Sequence, residues 1–373
     1  MVRELRVLHL IPSLGGGGAE RQLTYLARHL VSRGVHVHVG LLRGGPNLGR
    51  LEDTGAEIHW LRSSGNYDPL LVPRTIALVR QVQPDLVQTW ITQMDVVGGL
   101  AALATRTPWI ISERSAAAGY PKDVRHFLRR HIGRFASAVV ANSPGGLGFW
   151  RSSFAQRFVV QNAVPFQEID AAPLHEPAAT GGKRVVLFAG RLVHVKNLPT
   201  LIQALEAVVA RDDVVALLCG EGPLEETVRR LIAATARPER IHLLGFATNL
   251  PGLMKRADVF VSVSLWEGHP NVVIEAIACR CPVVMSDIAA HRAILDATTA
   301  RFVPVDAADA ICSAIAETLD DPHGARLRSA RAREAIAHLT VERMGDEYVR
   351  IYKQVMGALA RGAGGRDAAV TSL

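Results

Sequence analysis

Short apolar runs recur along the first 160 positions, each bounded by polar or glycine-containing punctuation and followed by a segment with helical spacing. Val7 to Ile11, Val35 to Leu41, Glu57 to Leu61, Asp85 to Thr89, Trp109 to Ser112, Ala138 to Ala141 and Phe158 to Gln161 read as strands. Strand and helix alternating in this way predict a parallel sheet with helices on both faces. Asn162-Ala163-Val164-Pro165 then opens a weakly patterned stretch that runs to Gly182, the expected linker. A second β-α alternation extends from Arg184 to about Thr318. The fold class expected is α/β, with two Rossmann-like domains, 1–165 and 183–343, facing each other across a cleft. Tyr348, Ile351, Tyr352 and Val355 at helical spacing predict a further helix within 344–360. The glycine-rich 361–373 is expected to be a frayed, flexible tail.

Composition narrows the class. With 373 residues and 49% hydrophobic content, the chain can bury two cores of ordinary domain size. No run of about eighteen uncharged apolar residues occurs, so no membrane-spanning helix is expected. The start, Met1 to Arg6, has no signal-peptide profile. The four cysteines, at 219, 279, 281 and 312, lack zinc spacing and read as reduced thiols in cytoplasm; no metal ligand is expected.

Charge is uneven. Residues 1–162 hold 19 Lys and Arg against 10 Asp and Glu, a net of +9, whereas the whole chain is only +7. The first half therefore faces something anionic. Arg125 to Phe135 concentrates the excess, and Phe127, Leu128, Ile132 and Phe135 fall on one helical face with Arg125, Arg129, Arg130 and Arg134 beside them. Two readings fit: a helix lying peripherally on an anionic membrane, or an amphipathic helix packed on its own sheet. Nucleic acid is not expected, since no binding motif accompanies the cations.

The candidate chemistry sits in the second half. Glu267-Gly268-His269-Pro270-Asn271-Val272-Val273-Ile274-Glu275 follows the strand-forming 257–264, so its loop lies at a strand's carboxyl end, where open α/β sheets hold ligands. Pro270 suits a first helical turn, and the amides of Gly268, His269, Asn271 and Val272 would face an anion. Most Glu side chains are solvated. Glu275, however, is surrounded by Ile274, Ala276, Ile277 and Ala278, and a buried carboxylate needs partners such as sugar hydroxyls. Earlier, Gly190 to Asn197 leaves the strand Arg184 to Ala189 and carries Arg191 and Lys196, a fork and a point charge suited to a diphosphate, with Asn197 as a helix N-cap. A nucleotide-sugar is the implied ligand.

Glu-x7-Glu on a strand-loop-helix, followed by Ala276-Ile277-Ala278-Cys279-Arg280-Cys281-Pro282-Val283-Val284, resembles the donor site of retaining glycosyltransferases of family 4, glycosyl transferases group 1, which have the GT-B fold. That family usually has Gly where Arg280 stands. The resemblance implies several roles. Gly190, Arg191 and Lys196 would hold the donor diphosphate, Glu267 would orient the sugar, Glu275 the ribose, and the backbone near Gly245 and Phe246 would meet the nucleobase. Gly17 and Gly18, in Gly-Gly-Ala-Glu-Arg, resemble the family's acceptor-side loop, and the C-terminal helix would cross back to the first domain. A dinucleotide fingerprint is not met, because Val35 to Leu42 ends in Arg43 rather than an acid.

Family members often have His near Gln88-Thr89-Trp90; its absence leaves His269 or a substrate group as base. Glu113 and Arg114 either bind acceptor or pair with each other. The implied reaction is retaining transfer of a hexose from a UDP- or GDP-sugar to a hydroxyl of a glycan or lipid-linked acceptor. Surface-polysaccharide synthesis is the expected setting, with Arg191, Lys196 and Glu267 as catalytic groups and no metal or other cofactor. The competing readings are a nucleotide-sugar epimerase of the same fold and a non-catalytic nucleotide-sugar-binding partner subunit.

Overall fold

The computed structural model describes residues 4–65, 68–116, 119–120, 123–150, 153 and 155–370, without the side chains of 359–370. The chain divides into two compact units, Met1–Ala163 with Val341–Leu373, and Val164–Thr340. In the first unit the strands are β1 (Arg6–Ser13), β2 (His36–Arg43), β3 (Glu57–Trp60), β4 (Leu86–Trp90), β5 (Trp109–Glu113), β6 (Ala138–Ala141) and β7 (Gln156–Val159). All pair in parallel, in the order β3-β2-β1-β4-β5-β6-β7. β7 begins two residues before the expected Phe158, because its register on β6 starts at Gln156 opposite Ala138. One core covers each face of the sheet, with Ile11, Val39 and Ile110 on one side and Leu8, Leu10 and Ile111 on the other.

The second unit repeats the plan with β8 (Arg184–Ala189), β9 (Val214–Cys219), β10 (Ile241–Gly245), β11 (Val259–Ser262), β12 (Val283–Ser286) and β13 (Arg301–Val303). Their order is β10-β9-β8-β11-β12-β13, again parallel. Every residue of β9, β11 and β12 is buried, as strands covered by helices on both faces require. The stretch expected to be a linker is packed instead. Helix Phe166–Ala171 contributes Ile169 to a core of this unit, Asp170 forms a bidentate pair with Arg333, and Glu176 pairs with Arg256.

The helix Val341–Val370 belongs to the first unit. Met344, Tyr348, Ile351, Tyr352 and Val355 lie in the same core as Leu23, Leu26 and Leu30 of helix Gly18–Ser32. Two phenols anchor it: Tyr352 donates to Gln88, and Tyr348 accepts from Arg114. The helix continues nine residues past Arg361, where a tail was expected. Its Ala and Arg content and the lack of proline sustain helix despite three glycines. Residues 371–373 lie outside the described residues.

Glu113 and Arg114 enter separate networks, which overturns the expectation that they pair with each other. Arg114 stacks 4.4 Å over Trp90 and donates to Asn162. Glu113, fully buried, accepts from the Ser115 amide at 3.0 Å, from Trp150 Nε1 at 2.9 Å and from the Tyr120 hydroxyl. It also faces Arg129 at 3.1 Å, and Arg129 in turn binds Asp95 at 2.7 Å. Arg129, expected beside an exposed apolar face, is 1% exposed and sits among the Tyr120, Phe149 and Trp150 rings. Burial opposes its charge, but Glu113 and Asp95 outweigh burial and hold the guanidinium protonated. Burial pushes the Asp95 carboxyl above its ordinary range, and Arg129 and the Thr89 hydroxyl counter it.

Removing Arg129 from this pocket would strand two buried carboxylates, at a cost of about 3–5 kcal/mol. Arg129→Met is expected to lower the chemical-denaturation midpoint of the first unit accordingly. An unchanged midpoint would show that the acids find protons or water instead.

Candidate functional site

In the second unit the strand order reverses between β8 and β11: β9 and β10 lie on one side of β8, while β11, β12 and β13 lie on the other. Successive connections leave in opposite directions here, opening a crevice at the strands' carboxyl ends. The loop after β8 carries Gly190 to Asn197, and the loop after β11 carries Val263 to Pro270. Both sequence-predicted segments therefore meet at one place.

Backbone contacts fix the first loop. The Gly190 amide donates to Cys219 at 2.9 Å, Leu192 donates to Glu221 at 2.9 Å, and Leu224 donates back to Leu192 at 3.0 Å. Gly220 donates to Gly245 at 2.7 Å, which links the ends of β8, β9 and β10. Gly220 and Gly222 make this approach feasible. At φ +140° a Cβ on Gly220 would lie 1.9 Å from the Gly190 oxygen, and one on Gly222, at φ +159°, 2.6 Å from the Leu192 oxygen. The Gly-Glu-Gly-Pro turn thus acts as a rest for the loop bearing Arg191 and Lys196.

The two loops are joined to each other. Leu265 donates its amide to Val195 at 2.9 Å, and Lys196 Nζ lies 2.6 Å from Glu267 Oε1. Both side chains are about 85% covered, with 14% and 16% exposed. Burial raises the Glu267 carboxyl, but the charge and hydrogen bond of Lys196 outweigh it, and the net effect is below the ordinary range. The pair therefore persists as pH falls through the usual carboxylate range and is lost only when Glu267 takes a proton. Glu267 was expected to be free for sugar hydroxyls; here one oxygen holds the lysine. Arg191 is exposed, and among the described residues its side chain has no hydrogen-bond or ion-pair partner.

His291 was not singled out from the sequence. It is fully buried after β12, and its Nδ1–H donates to the Ser286 carbonyl at 2.7 Å, leaving Nε2 as an acceptor. Burial holds this imidazole below its ordinary pKa, opposed by the Ser286 hydrogen bond and by Glu267, and Lys196 adds to the lowering. A neutral ring thus stands beside the Lys196–Glu267 pair. An isolated His in the short helix Ala289–Arg292 gives no signal of this; only the placement of β12 next to β11 does.

Helix Asn271–Ala278 starts at the same crevice. Pro270 occupies the position just before it rather than its first turn, and Gly268, His269 and Pro270 are buried. Glu275, on the helix's second turn, is 6% exposed, as its apolar neighbours implied. The far end is locked. Cys281 donates to Ala276 at 3.0 Å and Arg280 to Ile277 at 2.9 Å, the paired bonds of a Schellman cap, with Arg280 at φ +59°. Arg280 accepts there the left-handed conformation that Gly adopts without cost. Arg333 donates to the Ala278 carbonyl and adds a cation at the negative end of the dipole.

Other expectations fare variously. Asn197 stands at the N-cap of helix Leu198–Val208 as expected, but in the left-handed region and without a side-chain bond to the helix amides; its amide group donates to Val305 and its oxygen accepts from Thr200. Gly245 has φ +69° at the end of β10, and Phe246 beside it is 47% exposed. Gly17 and Gly18 lie in the first unit, at the start of helix Gly18–Ser32 after β1, where that sheet's order also reverses. Among the described residues, the one group of His, Cys, Asp and Glu close enough to hold an ion lies on β2 and β3, not in these loops.

Residues 183–321 match the family described as Glycosyl transferases group 1, and residues 16–164 match Glycosyltransferase Family 4. The chain belongs to this glycosyltransferase family. It is 27% identical over 297 residues to an N-acetylgalactosamine-N,N'-diacetylbacillosaminyl-diphospho-undecaprenol 4-alpha-N-acetylgalactosaminyltransferase of Campylobacter jejuni, covering 74% of this chain and 79% of that one. It is 32% identical over 254 residues to a phosphatidyl-myo-inositol mannosyltransferase of Mycolicibacterium smegmatis, covering 65% and 64%. The fold matches that of Anabaena HepE in complex with UDP-glucose, with TM-score 0.80 and 21% identity over 96% of this chain and 100% of that one. The glycosyltransferase therefore has the GT-B fold.

In this glycosyltransferase, Lys196→Ala is expected to slow glycosyl transfer about 100- to 1,000-fold, the scale of losing one electrostatic stabiliser. It also leaves Glu267 half-buried without its cation. Adding Glu267→Gln should recover thermal stability without recovering turnover. Recovery of both would mean that the lysine serves only to neutralise Glu267.

Proposed function

We propose that the enzyme transfers a hexose from a nucleoside diphosphate sugar to a hydroxyl of a lipid-linked or glycan acceptor, with retention of anomeric configuration. The observation that carries this reading is the Lys196–Glu267 pair at the β8/β11 reversal, with exposed Arg191 on the same loop as the lysine. Breaking the bond from the anomeric carbon to the diphosphate oxygen builds negative charge on the departing phosphate. Arg191, Lys196 and the amides at the start of helix Asn271–Ala278 would stabilise it. The acceptor oxygen bonds to the same face of the anomeric carbon, and its proton passes to the leaving phosphate oxygen.

No carboxylate is assigned as a nucleophile, because Glu267 is engaged with Lys196 and Glu275 lies within a helix. Glu275 would accept from the ribose hydroxyls, and the free oxygen of Glu267 from the sugar. Fixed cations would neutralise the charge on the diphosphate, so the chemistry calls for no divalent ion. UDP and UDP-glucose in the structures of similar fold, and the acceptor classes in the relatives' names, support this choice of substrates.

Incubating the protein with UDP- and GDP-sugars, with and without undecaprenyl-diphosphate glycans, tests the reading. An acceptor-dependent product with the donor's anomeric configuration by NMR is expected. Equal donor consumption without acceptor would indicate an epimerase, and binding without turnover a partner subunit.

We propose further that the first unit meets its acceptor at an anionic membrane surface, on the inner face of the plasma membrane. No helix among the described residues is long and apolar enough to cross a membrane. Helix Val124–Ile132 instead turns Arg129 inward and exposes Val124, Phe127 and Leu128, with Phe135 70% exposed just beyond. Arg130 and Arg134 are exposed on the same segment. Apolar tips flanked by cations suit the headgroup boundary of an anionic bilayer.

Because Arg129 is structural, the test spares it. Phe127→Ser with Phe135→Ser is expected to abolish co-sedimentation with anionic vesicles while leaving transfer to a short soluble acceptor intact. Undiminished sedimentation would discard the membrane role.

A further inference from the structure

The first unit carries a second cluster of side chains that glycosyl transfer does not use. His38 on β2 and Glu57 on β3 are register partners, and His59 follows two residues after Glu57. Because side chains two apart on a strand share a face, and paired residues of neighbouring strands point the same way, all three project from one side of the sheet. The alternations His36-Val37-His38 and Glu57-Ile58-His59 contain the signal, but only the β2/β3 register brings them together.

The geometry is specific. His38 Nδ1 lies 3.0 Å from His59 Nε2. The Glu57 carboxylate spans the two rings, with one oxygen 3.4 Å from His38 Nδ1 and the other 3.4 Å from His59 Nε2. Four donors at metal–ligand distances of about 2.0–2.1 Å in a tetrahedron stand about 3.3 Å from one another. The three separations seen here already form such a triangular face. Each His side chain is 13% exposed, so both rings are held in place, and they stack with centroids 5.3 Å apart.

The face opens onto a cavity of about 310 Å³ whose remaining walls are Arg6, His36, Gln81 and Val82. Three protein ligands with room for a water is the pattern of an open zinc site. His36 is engaged by Glu4 at 2.5 Å and does not compete for the same position. Arg6 is a cation at this site and works against a second positive charge. Its guanidinium, however, donates to the Val82 carbonyl at 2.8 Å, at the C-terminal end of helix Leu71–Val82, whose dipole is negative there.

We propose that His38, Glu57 and His59 form a binding site for a divalent transition-metal ion of the zinc class, coordinated through His38 Nδ1, His59 Nε2 and the Glu57 carboxylate. At present a proton must lie between the two facing nitrogens, since two lone pairs cannot share a 3.0 Å contact. The ion replaces that proton, which moves to the far nitrogen of the same ring. The site is structural. β3 is a four-residue strand at the edge of the sheet, and the ion would clamp it to β2. The proposal does not depend on the donor or acceptor of the transferase.

The test uses the full chain, stripped with a chelator and titrated with Zn²⁺ by calorimetry. One equivalent is expected to bind and to raise the melting temperature. Glu57→Gln and His59→Ala should each weaken binding at least about 100-fold and abolish the thermal shift, with circular dichroism confirming that they fold. Should the His59 variant not fold, Co²⁺ loaded into the unmodified chain decides. Tetrahedral visible bands without thiolate charge-transfer absorption support the site. Thiolate absorption, equal affinity in the variants, or no binding overturns it. Chelation is expected to leave glycosyl transfer unchanged at temperatures below the melting transition.

Discussion

The second unit is organised around one ion pair laid across the reversal of its sheet. Lys196 comes from the loop after β8, Glu267 from the loop after β11, and a backbone bond from Leu265 to Val195 runs beside them. Pairing makes the two side chains nearly neutral as a unit, so they can be largely covered without the penalty of an isolated buried charge. It also fixes the ammonium's position before any ligand arrives, which is the condition for electrostatic stabilisation without reorganisation. The field offered to an anion is then a directed dipole plus the exposed Arg191, not two free cations. In the proposed reaction Arg191 would make the first contact, and the interaction of Lys196 would grow as charge develops.

That arrangement needs rigid supports, and the chain provides them from behind. Gly220 and Gly222 let the turn after β9 press against the Gly190 loop at distances that any Cβ would forbid. The helix aimed at the crevice is closed at its far end by a Schellman cap and by Arg333, itself held by Asp170. Asp170 belongs to the segment that reads as a linker in the sequence. Its role here explains why the segment is folded onto the unit: it is part of the bracing of the site.

Much of this was legible before any coordinates, for a physical reason. Strands buried on both faces, such as Arg184–Ala189 and Ala138–Ala141, appear as unbroken apolar runs whose limits coincide with the structure. Arg191, Lys196 and Glu267 were identifiable because polar residues just beyond such runs fall at strand ends, and Glu275 because its apolar neighbours implied burial. What stayed hidden depends on pairs distant in sequence. The Lys196–Glu267 contact spans 71 residues, the burial of His291 depends on β12 lying beside β11, and the His38–Glu57–His59 triangle exists only in one register. Local preference gave the position but not the bond: Asn197 stands at the N-cap, yet its side-chain oxygen accepts from the Thr200 hydroxyl rather than from a helix amide.

The segment 124–135 gives the sharpest case of periodicity underdetermining structure. Helical spacing shows which residues share a face but not which face turns inward; that is decided by what waits underneath. Here the underlying surface presents Asp95 and Glu113, both fully covered, and only a cation can sit over them. Arg129 must therefore point in, and the helix has no further freedom to bury Phe127 and Leu128 on the opposite side. The exposed apolar stripe follows from the demand of two buried acids. The membrane contact proposed above would need no complementary shape, since lipid accommodates protruding apolar side chains by insertion.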